Sequence, residues 1–593
     1  MDHAWILRLA PVTMGLFLLA SPAASQLAPD PKQAAPEAAT GVAAKPMVVA
    51  SRHMVVAANP YAAAAGLDIL RAGGAAVDAT IAVQMVLGLV EPQSSGLGGG
   101  AFLVHWDAKS RALTAIDGRE TAPRAAKPDR FLLPSGQPRA FDEVTASPLS
   151  VGVPGVVRAL GLAHQRHGKL PWARLFESAI ALAENGFTVS PRLSALLAAQ
   201  GAKSFNDAAR KLYFDDAGQA RPAGSVLTNP ALAATLRTLA AQGAQAFYEG
   251  ALPAAIIATL SNDMTLEDFT QYAAKDRDPV CPPFRGYKLC SIGPPSSGGI
   301  TVGMALGLLE AKLEPTPNPA KPAGTNAVLQ NEIGEIRLLI EAEKLAFADR
   351  DRYIADPDFV AQANLLDPAY LAERARLIDP AHPMKKALPG TPPLKSGSRF
   401  GVDATVEQPG TSHISILDDD GNAVSMTTTI QTAFGSGIMA GGFLLNSELT
   451  DFSFKPTDEA GVAIANRIEG GKRPRSSMAP TIILDRKGDL FAVLGSPGGS
   501  SIILYNVKAI VCLIDWACSV EQAASLPTFG SRNGPVEVEA GTAAQTGLGI
   551  ALTASGSTVT SVDMTSGLGI IERLGGQIEG AADPRREGAA LGD

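Results

Sequence analysis

Polar and apolar side chains alternate along residues 411–417. His413, Ser415 and Leu417 fall on one face, and Ser412, Ile414 and Ile416 on the other, which is the period of a β-strand. Asp420-Gly421-Asn422 supplies a turn, and residues 423–430, rich in Thr and Val, supply a second strand. Pro409 and Gly410 stand immediately upstream, where they punctuate structure. The pattern predicts a β-hairpin that begins at Thr411, directly after a Pro/Gly loop.

Elsewhere the period changes. Residues 61–90 are Ala-rich with helical spacing, broken at Gly73-Gly74, and residues 96–117 turn strand-like. Residues 152–260 carry Ala and Leu at three- and four-residue intervals and read as largely helical. Thr265-Leu266-Glu267-Asp268 resembles a helix start, residues 313–324 a Pro-rich loop, and residues 333–353 a long amphipathic helix. Residues 378–410 hold six prolines and little periodicity, and read as an exposed linker able to carry a scissile bond. After Thr411 the chain is strand-rich. No internal repeat is evident, and pattern alone gives mixed α and β.

The chain has 593 residues, 46% hydrophobic and 18% charged, enough for an ample core and more than one lobe. With a net charge of −8 and no Lys/Arg block, a nucleic-acid partner or an anionic membrane surface is not expected. Arg8, the apolar run 9–20 and Ser21-Pro22-Ala23-Ala24-Ser25 read as a signal peptide over 1–25. That run is shorter than the ~20 residues that span a bilayer. Residues 26–46, rich in Ala and Pro, read as a disordered leader. The mature protein is expected to be soluble, without a membrane span, and periplasmic or secreted. Export permits disulfides. Cys281 and Cys290 flank a turn at Arg285-Gly286 that can bring them together. Cys512 and Cys518 fall in an apolar stretch that reads helical, where they cannot face each other, so buried free thiols are expected. No Cys spacing resembles a zinc site, and neither a metal nor a cofactor is expected.

Two glycine-rich segments are false leads. Residues 96–101 fit a loose dinucleotide fingerprint, but a helix precedes them and a strand follows, the reverse of the required order. Residues 495–500 lack the Lys of a P-loop. A Thr that opens a strand after Gly is instead the layout of an N-terminal nucleophile hydrolase. Such an enzyme cuts its own chain before the Thr, and the freed α-amine serves the hydroxyl of the same residue as base.

The neighbouring motifs sharpen this. Thr427-Thr428-Thr429-Ile430-Gln431, Phe434-Gly435-Ser436-Gly437-Ile438 and Leu444-Leu445-Asn446-Ser447-Glu448-Leu449-Thr450-Asp451-Phe452 follow Thr411. Lys472-Arg473-Pro474-Arg475-Ser476-Ser477-Met478-Ala479-Pro480-Thr481 and Gly495-Ser496-Pro497-Gly498-Gly499-Ser500 come after them. This ordered set resembles the small subunit of the γ-glutamyltransferases (glutathione hydrolases). Glu91-Pro92-Gln93-Ser94-Ser95-Gly96-Leu97-Gly98-Gly99-Gly100, Asp117-Gly118-Arg119-Glu120-Thr121-Ala122-Pro123 and Ala342-Glu343-Lys344-Leu345-Ala346-Phe347-Ala348-Asp349-Arg350 are similar to that family's large-subunit signatures. The resemblance runs from about residue 47 to residue 585 and implies an α+β fold, a four-layer αββα sandwich. It also implies a precursor cut between Gly410 and Thr411 into a large subunit (47–410) and a small catalytic subunit (411–593) that stay together as a heterodimer.

By the same resemblance Thr411 is the nucleophile, Thr429 hydrogen-bonds its hydroxyl, and Gly498 and Gly499 supply the N–H groups of an oxyanion hole. Arg119, Ser476 and Ser477 form a clamp for the substrate α-carboxylate; Glu448 and Asp451 receive its α-ammonium. Gln431 stands where the family usually has Asn or Glu, and still offers an amide to the amine. Asp117, His413 and Asn446 read as structural. Arg475 stands where Leu is usual and adds positive charge near the clamp. The loop from Asp451 to Ser476 is of intermediate length and has no Tyr to form an aromatic latch. The implied partners are glutathione and γ-glutamyl compounds, with water, amino acids or peptides as acceptors. A cephalosporin acylase on the same scaffold is the nearest alternative; an uncleaved periplasmic protein that binds glutamyl peptides is an alternative of another class.

Overall fold

The computed structural model describes residue 1 and residues 43–260, 263–314, 321–394, 399–405 and 407–593. The expected signal peptide, Met1 apart, and residues 26–42 of the leader lie outside the described residues. The expected disorder does not extend to residues 43–46, because the Lys45 ammonium donates to the Arg586 and Gly588 carbonyls and the Ala43 N–H to the Pro584 carbonyl.

Among the described residues, fourteen strands form two seven-stranded sheets. In chain order they are β1 (Val48–Ala50), β2 (Met54–Ala57), β3 (Gly100–Asp107), β4 (Ala112–Gly118), β5 (Lys275–Arg277), β6 (Pro283–Phe284), β7 (Tyr287–Ser291), β8 (Thr411–Leu417), β9 (Ala423–Thr429), β10 (Thr481–Leu484), β11 (Leu490–Gly495), β12 (Gly569–Leu574), β13 (Gln577–Ala582) and β14 (Ala589–Gly592). One sheet runs β14-β2-β8-β9-β3-β4-β5 and the other β1-β13-β12-β11-β10-β7-β6. Strands from both sides of Gly410 therefore interleave in each sheet. A cut there would leave two fragments sharing one core.

Helices cover both outer faces. α1 (Pro60–Arg71), α2 (Ala76–Val90) and α3 (Val156–His167) pack on the β8/β9 sheet; α4 (Gly298–Glu310), α5 (Ile333–Tyr353) and α6 (Ile502–Ile514) lie on the other side. The expected four αββα layers are present. The predicted hairpin is β8/β9, turned at Gly421 (φ +83°), and α5 has the predicted bounds.

The alternation along β8 and β9 explains their burial on both faces. Ile414, Ile416, Val424 and Met426 enter the apolar cluster formed with the helices. The opposite face is mainly polar, its hydroxyls and His413 paired, and ends at apolar Leu417 and Ala423. The Ser415 hydroxyl donates to the Gly569 carbonyl and the Ser425 hydroxyl to the Leu494 carbonyl, both at 3.0 Å across the inter-sheet gap. Gly495 is needed there, since a Cβ would lie 2.3 Å from the His413 ring.

Two expectations need correction. Cys281 and Cys290, which their spacing left open to pairing, are bridged across the β6/β7 hairpin, and Cys512 and Cys518 are bridged as well. The helix that carries Cys512 stops at Ile514; the chain then turns through Ala517 (φ +49°), and the Cys518 N–H donates back to the Cys512 carbonyl. The reversal brings the two sulfurs together. The segment 378–410 is also not simply exposed. Its described residues include buried Ile378, Ala387, Asp403 and Glu407, because its polar groups find interior partners: Gly390 N–H donates to Asp349, and Glu407 pairs with Arg350.

Candidate active site

Four strand ends converge on one cavity. β8 begins at Thr411 and β9 ends at Thr429, and the register sets these two residues opposite each other. Arg119 follows β4 directly, and Gly498-Gly499 follow β11 before α6. A 3₁₀ turn over Glu448–Asp451 presents its two acids, and Ser476 and Ser477 lie in the extended stretch before β10. The cavity is lined by Arg119, Thr411, Thr429, Gln431, Glu448, Asp451, Ser476, Ser477 and Gly499. Gly498 forms the turn behind this lining. Sequence reasoning did not assign the remaining lining residues, Glu407, Gln408, Met478 and Ile502.

The Thr hydroxyls form a short chain. Thr411 Oγ1 donates to Thr429 Oγ1 at 3.4 Å, and Thr429 Oγ1 donates to the Gly410 carbonyl at 2.6 Å. Gln431 N–H donates to the same Thr429 oxygen at 2.8 Å, which fixes the direction of its proton. The carbonyl before the expected cut is thus already hydrogen-bonded beside the hydroxyl that would attack it. Gly410 is packed where no side chain fits: a Cβ would lie 2.1 Å from the Gln431 carbonyl oxygen. Gly410→Ala is therefore expected to displace this carbonyl and slow any cleavage by about a hundredfold, the usual scale for misplacing reacting atoms by ~1 Å. A time course of the intact chain on denaturing gels checks this.

Arg119 is buried, and its fork is largely consumed. Nη1 pairs with Glu448 Oε1 in a short contact, Nη2 with Asp451 Oδ2 at 2.6 Å and the Arg475 carbonyl at 2.9 Å, and Nε with the Pro474 carbonyl at 3.2 Å. Glu120 stands 3.8 Å from Nη1. Three buried carboxylates thus face one guanidinium. Burial pushes Glu448 well above the usual carboxylate range and raises Asp451 and Glu120, with Arg119 only partly opposing the shift. An ammonium brought beside these carboxyls would favour their charged forms. The resemblance implies separate subsites for the cation and the acids; the structure joins them in one network. Gln431, at φ +80°, bridges it: Nε2 donates to Asp451 Oδ1 at 3.1 Å and Oε1 accepts from the Ser447 hydroxyl at 3.0 Å.

Surrounding residues hold this geometry. Asp117 accepts from Arg119 N–H and Arg277 Nε. Asn446 accepts from Glu448 N–H and Gly152 N–H while donating to the Gly98 and Gly152 carbonyls. His413 lies between the Thr427 and Ser415 hydroxyls at 3.0 Å each, and burial lowers it to about 3, so it is neutral at pH 7. Arg475 does not add charge to the cavity: it pairs with Asp403 at 3.1 Å and lies 3.5 Å from Glu407. Gly498 (φ +137°) and Gly499 (φ +56°) turn left-handed, and a Cβ on Gly498 would meet Tyr505 at 2.5 Å. Only glycine fits that turn. After Asp451, Phe454 stacks on Phe131 with ring centroids 4.8 Å apart.

Two stacked antiparallel sheets between helical layers, with a threonine opening a central strand at a polar cavity, define the fold of the N-terminal nucleophile hydrolases. Residues 62–593 match the gamma-glutamyltranspeptidase family, to which the chain belongs. It is 37% identical over 536 residues to the glutathione hydrolase proenzyme of Escherichia coli, covering 88% of each chain. It is 33% identical to the glutathione hydrolase proenzyme of Bacillus subtilis, covering 90% of each. Among solved structures it resembles cephalosporin acylase from Bacillus halodurans, with a TM-score of 0.78, 26% identity, and coverage of 94% of this chain and 98% of that one.

Proposed function

We propose that the protein is an exported γ-glutamyltransferase and glutathione hydrolase, made as one chain and cut by itself between Gly410 and Thr411. The observation that carries the reading is the joining, in one cavity, of the Thr411 hydroxyl with a guanidinium, two serines and a carboxylate cluster. A γ-glutamyl group presents an α-carboxylate and an α-ammonium, and this set offers partners for both.

In the precursor, Thr411 Oγ1 attacks the Gly410 carbonyl carbon. The C–N bond breaks as the nitrogen takes a proton and becomes the free Thr411 amine; water then hydrolyses the resulting ester, giving the Gly410 carboxylate and restoring the Thr411 hydroxyl. In the cut enzyme that amine takes the hydroxyl proton, Oγ1 attacks the γ-carbonyl of a γ-glutamyl amide, and the amine portion leaves protonated. The oxyanion faces the N–H groups at Gly498 and Gly499, at the N-terminal end of α6. Water or an amino-acid or peptide amine then takes the glutamyl group from Thr411.

The test is N-terminal sequencing of the fragments on a denaturing gel, with a γ-glutamyl-anilide assay. The smaller fragment should begin Thr-Ser-His-Ile-Ser, and the anilide should be released. An intact, inactive chain would favour a glutamyl-peptide binding protein. The likeness to cephalosporin acylase favours a second reading, a glutaryl amide as substrate; it requires that a glutaryl anilide, which lacks the ammonium, be cut faster than the γ-glutamyl one.

The pH dependence follows from the same groups. An α-amine has a reference pKa of ~7.7–8.0, so kcat should fall about tenfold per unit well below it. Glu448 and Asp451 have raised values, so they protonate as pH falls and release the substrate ammonium. kcat/KM is therefore expected to fall more steeply than kcat on the acid side. Parallel pH profiles of the two constants check this.

A further inference from the structure

Glu407, four residues before the expected cut, has its carboxylate in the cavity with Thr411. It is 6% exposed and held on three sides. The Ser477 hydroxyl donates to Oε2; Arg350 Nη2 donates to Oε1 in a short contact; Arg475 Nε lies 3.5 Å from Oε1. Arg350 Nη2 also donates to Ser477 Oγ at 2.7 Å, and its Nε to Ser297 Oγ at 2.8 Å. Because Ser477 Oγ accepts from Arg350, its own proton must point at the carboxylate. The Gln408 and Glu407 carbonyl oxygens pack 3.1 and 3.2 Å from where a Gly499 Cβ would be, so this stretch also covers the glycine turn.

This is the coordination expected for a substrate carboxylate: one hydroxyl donor and one charged planar donor. Upstream, the chain is tied at Asp403, whose N–H donates to the Asp351 carbonyl at 2.9 Å. A cut after Gly410 would create a chain end three residues beyond Glu407. If the Glu407 carboxylate left, Arg350 and Arg475 would still face Asp351 and Asp403, leaving a neutral set with an open guanidinium edge beside Ser477.

We infer that Ser477 and Arg350 form a carboxylate-binding subsite of the cavity, filled by the Glu407 side chain before cleavage and by the substrate α-carboxylate afterwards. The inference rests on the glutamyl reading of the cavity. It makes Arg350 a substrate-binding residue and Glu407 an internal stand-in for substrate.

The experiment uses the full chain kept uncut by Thr411→Ala, with and without Glu407→Ala, titrated calorimetrically with L-glutamate and with its α-amide. The Glu407→Ala chain should bind glutamate about tenfold or more tightly than its parent, the effect of freeing charged donors, while the α-amide gains nothing. No gain for glutamate, or an equal gain for both ligands, would overturn the subsite. If Glu407→Ala does not fold, Arg350→Lys in the cut enzyme decides. KM for a γ-glutamyl anilide should rise about tenfold or more, kcat staying within about threefold. A substrate with an α-amide should show no change, and equal rises for both substrates would overturn the role. Should the glutamyl reading itself fail, glutamate binds neither uncut chain. Glutarate, which has the carboxylate without the ammonium, then reads the exchange: a gain supports the subsite and no gain overturns it.

Discussion

The Thr411→Ala chain is expected to remain one band on a denaturing gel and to release no anilide, while the parent gives fragments of about 40 and 19 kDa, prorated from 61.2 kDa by length. Two roles are lost at once. The hydroxyl that would attack Gly410 is gone, and without the cut no α-amine is exposed to act as base. The fall in kcat should reach ~10⁴-fold or more, the scale for removing a nucleophile from a catalytic unit. The fold should survive, because Thr411 Oγ1 makes one long hydrogen bond, 3.4 Å to Thr429. Near-UV circular dichroism of the variant should match that of the parent. A variant that still yields two fragments would remove Thr411 as nucleophile for the cut. One that is uncut but still active would place the chemistry elsewhere.

The second large effect is expected at Arg119. Substrate binding should weaken by ~2–5 kcal/mol in Arg119→Ala, the range for losing one partner of a buried charge pair. That corresponds to a fall in kcat/KM of about thirtyfold to several thousandfold, at 1.4 kcal/mol per factor of ten. Arg119 also holds Glu448 and Asp451, both nearly inaccessible. Its removal strands three buried acids, and such breakage costs ~3–5 kcal/mol of stability. Arg119→Lys should recover part of the stability and little of the activity, since an ammonium cannot reproduce the fork that bonds Glu448, Asp451, Pro474 and Arg475 together. Thermal unfolding beside kcat/KM for the two variants separates these effects. An unchanged kcat/KM in Arg119→Ala would exclude it from substrate binding.

Much of this protein was legible in order of sequence. The alternation from Thr411 fixed a strand with two differently built faces, and the Gly421 turn fixed its hairpin partner; from these alone Thr429 falls opposite Thr411. The gap after Arg71 matched the Gly73-Gly74 break, and α5 was legible from end to end. These features depend on the spacing of side chains a few residues apart, which a chain carries before it folds. The ordered motifs located the segments that meet at the cavity, because a site of this chemistry needs those residue types together.

Tertiary structure decided what each polar group is paired with. Arg119 meets acids more than 320 positions away in sequence, and burial raises those acids because packing removes water that no local pattern registers. Arg475 read as free charge near the site, yet Asp403 and Glu407 surround it. Glu407 read as one acid in a proline-rich linker; only the docking of that linker onto Ser477 and Arg350 gives it a place in the cavity. Cys512 and Cys518 read as separate thiols on one helix until the chain reversed at Ala517. Local periodicity sets which elements form and which face is apolar. The pairing of buried charges and sulfurs depends on how distant elements dock, and that is settled only when the layers close on one another.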